Sequence, residues 1–254
     1  LPLMTSCCPA WVKYVENERP EFLKNLSTAR SPMQMFASVL KENYRKKDAE
    51  DGRTTFHIAI MPCTAKKMEA RREEFRDAYG VPYVDLVLTT QEVVQMMKES
   101  GIRFQMLEKE SPDLPYGMGS GAAEIFGTSG GVAEAVIRCC TPDKSKNALR
   151  TIEHSGLRGT DAVRFAEVTI NGRKVRVAIV HGLGSAAKLL DQIQSGEVQA
   201  DLVEVMSCRT GCVGGAGQPY ALMAKKLQRA QGLYEIDRSA MFKRSERNPV
   251  IDAM

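Results

Sequence analysis

The chain has 254 residues, 43% of them hydrophobic and 26% charged, with a formal net charge of +4. That length allows one large domain or two small ones around a substantial core. No apolar run reaches the roughly 18 residues of a membrane-spanning helix, and the aromatics are not interleaved with a basic stripe, which argues against nucleic acid as a partner.

The opening residues, LPLMTSCC, lack the basic start and apolar core of a secretory signal, and the chain does not begin with Met. It is expected to be a piece of something longer. Its seven cysteines are odd in number and irregularly spaced. This favours thiolate chemistry or metal binding over a disulfide framework, in a reducing or anaerobic, cytoplasmic setting.

In chain order, four apolar runs predict strands: FHIAIMPC (56–63), VDLVLTT (84–90), VRVAIVHG (175–182) and DLVEVMSC (201–208). Continuous Val/Ile/Leu runs suit parallel strands covered on both faces. A helix is predicted over TTQEVVQMMKESG, from a Thr cap to Gly101, with Met96 and Met97 in the core. Residues 108–120 and 141–147 read as loops, and Cys139 and Cys140 as packing at a helix end. RFAEVTINGRKVRVAIV predicts a hairpin turning at Asn171-Gly172, a strong type I′ signal. A second helix is predicted to start near Ser185 and end at Gly196, and the basic stretch KKLQRAQGLYEIDRSAMFKR to form a solvated helix surface. Strands alternating with helices imply an α/β fold.

Two of these strands end in cysteine, at Cys63 and Cys208. Ligands of open α/β sheets collect beyond the carboxyl ends of strands, so the two thiols are expected to meet. TSCCPAW adds Cys7 and Cys8, and EVMSCRTGC adds Cys212. A helix starting just after Cys208 would put Cys212 about one turn further on. Soft thiolates from three segments suit zinc, copper(I) or an iron–sulfur cluster. Structural zinc sites usually draw ligands as short-spaced pairs such as CxxC, and none occurs here. Buried cysteine can also act as a small hydrophobe, which does not account for three motifs each flanked by Pro or Gly. The run Gly214, Gly215, Ala216, Gly217 has no bulk beyond a methyl group and reads as a bed for a large inorganic group.

TSCCPAW, MPCTAKKMEA and EVMSCRTGCVGGAGQP resemble, in the same order, the three signature motifs of [FeFe]-hydrogenase catalytic domains. NLSTARSPMQMF, GAAEIFGTSGGVAEAV and the final SERNPVIDAM resemble that family too, so the likeness covers essentially all of residues 1–254. It implies one partial H-cluster domain of two lobes, each a mostly parallel sheet flanked by helices, with the metal cluster between them. A [4Fe–4S] cubane would be held by Cys8, Cys63, Cys208 and Cys212. Cys212 would also bridge to a diiron subsite carrying CO, cyanide and a bridging dithiolate with an amine. Lys66 matches a lysine that donates to a cyanide. Met61, Met206 and Phe126 match residues beside the diiron unit, and Pro62 and Ala65 match backbone positions lining its cavity. Gly215 and Gly217, read above as part of the glycine bed, would line the cofactor. Cys7 matches a cysteine that relays protons without ligating, and Ser27 a later station on that relay.

The implied reaction is reversible H2 oxidation and proton reduction. It requires a metal site, a nearby base, and separate exits for electrons and protons. A redox partner such as ferredoxin or another iron–sulfur subunit is implied. The family's segment before TSCCP, which supplies two carboxylates of the proton path, and its helices after SERNPVIDAM are lacking, so a further chain or segment is expected to complete the domain. Two other readings stay open: a non-catalytic iron–sulfur assembly relative, and a hydrogen-sensing module. The first typically shows one cysteine where TSCCP has two, and the second tends to lose the relay cysteine. The Cys7-Cys8 doublet favours the enzyme.

Overall fold

The computed structural model describes residues 2–113 and 116–249; residues 250–254 of SERNPVIDAM lie outside that range, as does part of the 108–120 loop. In chain order the elements are β1 (Leu3–Met4), α1 (Pro9–Glu18), α2 (Pro32–Asp51), β2 (Ile58–Met61), α3 (Ala65–Glu69), β3 (Leu86–Thr89), α4 (Thr90–Glu99), α5 (Gly121–Glu124), α6 (Gly131–Cys140), α7 (Lys146–Ile152), β4 (Val163–Ile170), β5 (Arg173–His181), α8 (Leu183–Ser195), β6 (Leu202–Met206) and α9 (Met223–Ser239). The fold is α/β, as expected. Among the described residues no helix is long and apolar enough to cross a membrane.

The larger sheet has the order β1-β6-β5-β4. β6 pairs in parallel with β1 and β5, and only β4 runs antiparallel, against β5. The hairpin turns where predicted, with positive φ at Asn171 (51°) and Gly172 (74°), as a type I′ turn demands. Successive side chains of a strand point to opposite faces. Ala178 and Val180 of β5 with Val203 and Val205 of β6 therefore join one core cluster, beside Trp11 of α1 and Leu189 and Leu190 of α8. Val177, Ile179 and Leu202 join the other, against Ile137 of α6 and Leu157. Both faces are covered, which is why these two strands read as unbroken apolar runs.

The smaller sheet pairs β2 with β3 in parallel, Ile58 opposite Leu86 and Met61 opposite Thr89. Here the expectation of two buried faces fails. Ala59 and Met61 pack on a cluster with Met33 and Ala37 of α2 and Val87 of β3. The alternate residues Ile58 and Ile60 are 53% and 57% exposed, because the covering helices lie on one side only. Two further expectations fail for a similar reason. Cys139 and Cys140 are exposed at the end of α6, and Met96, on the outer face of α4, is exposed. α4 itself starts at its predicted cap, with a capping box between Thr89 and Glu92, and α8 ends at Gly196 with φ 82°.

Candidate metal centre

Three strand carboxyl ends converge on one cavity. β1 leads into Cys7 and Cys8, β2 into Pro62 and Cys63, and β6 into Ser207 and Cys208. The first segment is pinned by Thr5, whose carbonyl accepts from Trp11 Nε1 at 3.0 Å and whose hydroxyl accepts from the Val205 amide at 3.2 Å. Pro9 then opens α1 and leaves Cys8 at its N-cap without a side-chain capping bond. The Cys8 thiol instead lies 3.2 Å from Ser207 Oγ, on the facing segment. After Cys208 the chain does not enter a helix. A turn closes from the Gly211 amide to the Cys208 carbonyl at 3.1 Å, and a short 3₁₀ turn runs Cys212–Gly214. Cys212 still reaches the cavity.

The cavity has a volume of about 190 Å³, and its wall includes Cys7, Cys8, Cys63, Cys208 and Cys212 together with Met61, Pro62, Lys66, Phe126, Met206 and Gly215. Burial pushes the thiols of Cys63 and Cys208 up, and that of Cys212 up to about 12, the neighbouring cysteines adding to the effect at Cys212. Backbone N–H groups of Lys66 and Ala65 at the Cys63 sulfur, and of Ala216 at the Cys208 sulfur, pull the other way. Cys7 is raised furthest, by burial first and then by the buried carboxylate of Glu204. Thiolate is the metal-binding form, so any metal entering here displaces protons from its ligands.

The glycine run serves the loop's packing more than the cavity. A Cβ on Gly215 would sit 2.0 Å from the Pro62 carbonyl oxygen, and one on Gly217 would sit 2.7 Å from the Cys63 amide nitrogen. The backbone of the third cysteine segment thus lies directly against the backbone of the second. A hydrogen bond from the Gly217 amide to the Pro62 carbonyl (3.1 Å) and one from the Gln91 amide to the Gly217 carbonyl (2.9 Å) fix that contact.

Residues 1–216 match the model of the iron-only hydrogenase large subunit, C-terminal domain. The chain belongs to this family. It is 39% identical over 253 residues to the NADP-reducing hydrogenase subunit HndD of Solidesulfovibrio fructosivorans, covering 99% of this chain and 43% of that one. It superposes on the apo [FeFe]-hydrogenase HydA1 of Chlamydomonas reinhardtii with a TM-score of 0.77 and 32% identity, covering 100% of this chain and 70% of the other. It is also 32% identical to the mouse cytosolic iron-sulfur assembly component 3, over 94% of this chain and 52% of the relative. The chain thus spans less than half the length of the curated hydrogenase it resembles.

Within this hydrogenase domain, most residues named from the sequence meet at the cavity. Three do not line it. Ala65 opens α3 and offers its backbone N–H to the Cys63 sulfur. Gly217 packs behind Cys63. Ser27 lies in a separate cleft of about 310 Å³, with Ser6, Glu69 and Arg72, where its hydroxyl accepts from the Ala29 amide at 3.2 Å. Sequence reading missed β1, whose two residues are too few for a periodic signal. It also missed Glu69 and Glu204. Each is a charged residue buried within a motif-bearing segment, and that mismatch was the available signal.

Proposed function

We propose that this domain holds an H-cluster and catalyses reversible H2 oxidation. The observation that supports this most is the convergence of four thiols from three remote strand ends on one cavity, whose wall also carries Lys66 and a fifth thiol. The donor set fits the group, since four soft thiolates suit an iron–sulfur cubane. Among the described residues, the only three-ligand group gathered within 4.8 Å is acidic (Glu134, Glu153 and Asp237). The thiols are therefore spread more widely than a single zinc ion, with Zn–S bonds of about 2.3 Å, would draw them.

Cys8, Cys63, Cys208 and Cys212 would hold the cubane, with Cys212 shared with the diiron subsite. The bound cofactor would supply the redox centre at which the H–H bond is cleaved. Met61, Met206 and Phe126 present apolar surface to the cavity and exclude water. Pro62, Gly215 and Gly217 hold the second and third cysteine segments in contact. The Lys66 ammonium offers a charge-assisted donor to an anionic ligand. The Cys7 thiol, kept protonated by burial beside Glu204, can retain a proton at the cavity and hand it on, with Ser27 a later station in the neighbouring cleft. Electrons would leave for a ferredoxin or another iron–sulfur subunit in the cytoplasm, and a further segment or chain would complete the proton path.

Infrared spectroscopy of the cofactor-loaded holoprotein tests this reading. CO and cyanide stretching bands are expected, and Cys7→Ser should keep those bands while lowering H2 turnover about 10²-fold or more, as loss of a positioned proton carrier does. Wild-type turnover by C7S would remove Cys7 from the relay. A brown, cubane-bearing protein that shows no such bands after loading would overturn the hydrogenase reading in favour of an assembly-factor relative.

A further inference from the structure

A buried ion pair lies between the cavity and the Ser27 cleft. Lys66 Nζ donates to Glu69 Oε2 at 2.7 Å, one turn along the short helix α3. The same carboxylate oxygen accepts from Ser31 Oγ at 3.0 Å. Lys66 Nζ also donates to the Cys7 carbonyl at 3.2 Å. Lys66 faces the cavity and Glu69 faces the cleft, while the side chains of both are at most 10% exposed.

An ammonium carries three N–H donors and no acceptor. Two of the three are committed, to Glu69 and to the Cys7 carbonyl, which leaves one for the cavity. A lysine stem is flexible, and an unpaired buried ammonium is strongly disfavoured. Lys66 alone would withdraw toward water, and the cleft lined by its partner Glu69 offers that route. Glu69 is the carboxylate that holds it back, since Glu16 and Glu74 bind Arg72 instead. Ser31 extends the restraint. It is the N-cap of α2, and the next two residues, Pro32 and Met33, line the cavity. One carboxylate oxygen therefore links α3, the start of α2 and, through Lys66, the Cys7 segment.

We propose that Glu69 is a positioning residue that aims the free N–H of Lys66 at an anionic ligand in the cavity, the cyanide of the diiron unit. The ligand's identity rests on the function proposed above; the restraint on Lys66 does not. Two measurements separate them. In protein prepared without the diiron unit, acetic anhydride labelling followed by mass spectrometry should find Lys66 protected, and in Glu69→Ala labelled about tenfold faster or more, as expected when a local restraint opens. In loaded holoprotein, E69A should shift the cyanide stretching bands at unchanged iron content, and Glu69→Asp should restore them part of the way. Should E69A fail to retain the cubane, the isosteric E69Q carries both readings. Lys66 labelled at the wild-type rate in an iron-replete Glu69 variant, or cyanide bands that do not move, would overturn the inference. Absence of cyanide bands in the wild type would overturn the ligand assignment alone, with the labelling result still deciding the restraint.

Discussion

Glu204 has no solvent contact in the middle of β6, on the strand face opposite Val203 and Val205. Its two carboxylate oxygens accept from the amides of Gly130 and Ala133, at 2.5 and 2.8 Å, at the start of α6. Burial nevertheless wins over those donors and raises its pKa to about 7, well above the ordinary carboxylate value. In the acid range between that ordinary value and about 7, the folded protein holds a proton that the unfolded chain has released. Stability from this group is therefore complete below the ordinary carboxylate pKa and is lost as pH rises to about 7. The loss is on the order of 3 kcal/mol. Glu204→Gln removes the titration and adds a pH-independent cost, because its amide can satisfy only one of the two N–H groups. Denaturant unfolding of both proteins at pH 5 and pH 8 checks this: wild type should lose more stability across the interval than E204Q, and parallel curves would refute it.

The decisive element of the site is the loop from Cys208 to Gly217. Its packing on the turn after β2 leaves no room for a methyl group at Gly215, where a Cβ would overlap the Pro62 carbonyl. Gly215→Ala must push the two cysteine segments apart, at about 1–3 kcal/mol or more for an overpacked contact. Its iron content after anaerobic reconstitution, measured against wild type, should fall several-fold. The sequence made this loop legible as a cysteine and glycine element but not its shape. A helix after Cys208 was a fair expectation for an α/β crossover, yet Thr210 takes φ 68° and Gly211 takes φ 83°, which a helix does not allow. The same mixture holds across the fold. β5 and β6 were readable because both of their faces are covered. β2 carries a similar apolar run, and only three-dimensional structure reveals that one face is bare. The cysteines that line the cavity could be found from strand ends and motif likeness. Glu69 and Glu204 stood out only as charges inside apolar or motif-bearing segments, and their roles stayed hidden because Ser31 lies 38 residues from Glu69 and Gly130 lies 74 from Glu204.

At the scale of the whole molecule, a buried charge network outside the cavity wall holds together elements that frame the site. Arg138 of α6 is fully buried and donates to both oxygens of Asp237 on α9, each at 2.8 Å, and to Glu134 at 2.6 Å. Arg158 joins the same two carboxylates, at 2.7 Å to Glu134 and 3.0 Å to Asp237. Although Glu134, Glu153 and Asp237 stand close enough together to grip a cation, the two guanidiniums already occupy that space. The network joins elements that frame the site. α6 follows the turn carrying Phe126 and Gly127 in the cavity wall. α9 carries Arg229, which donates to the carbonyls of Val213 and Pro219, on and just past the cysteine loop, at 3.2 and 3.0 Å. Asp237→Ala leaves Arg138 paired with Glu134 but takes away two charge-assisted bonds and leaves buried guanidinium N–H groups without acceptors, so it should destabilise the protein by about 3 kcal/mol. Replacing Arg138 and Asp237 together by apolar residues of similar volume should cost far less, because no buried charge of that pair is left alone. Denaturant unfolding of the single and double variants measures the difference. If D237A proves no less stable than the double variant, α6 and α9 are held together by packing, and the charges between them are incidental.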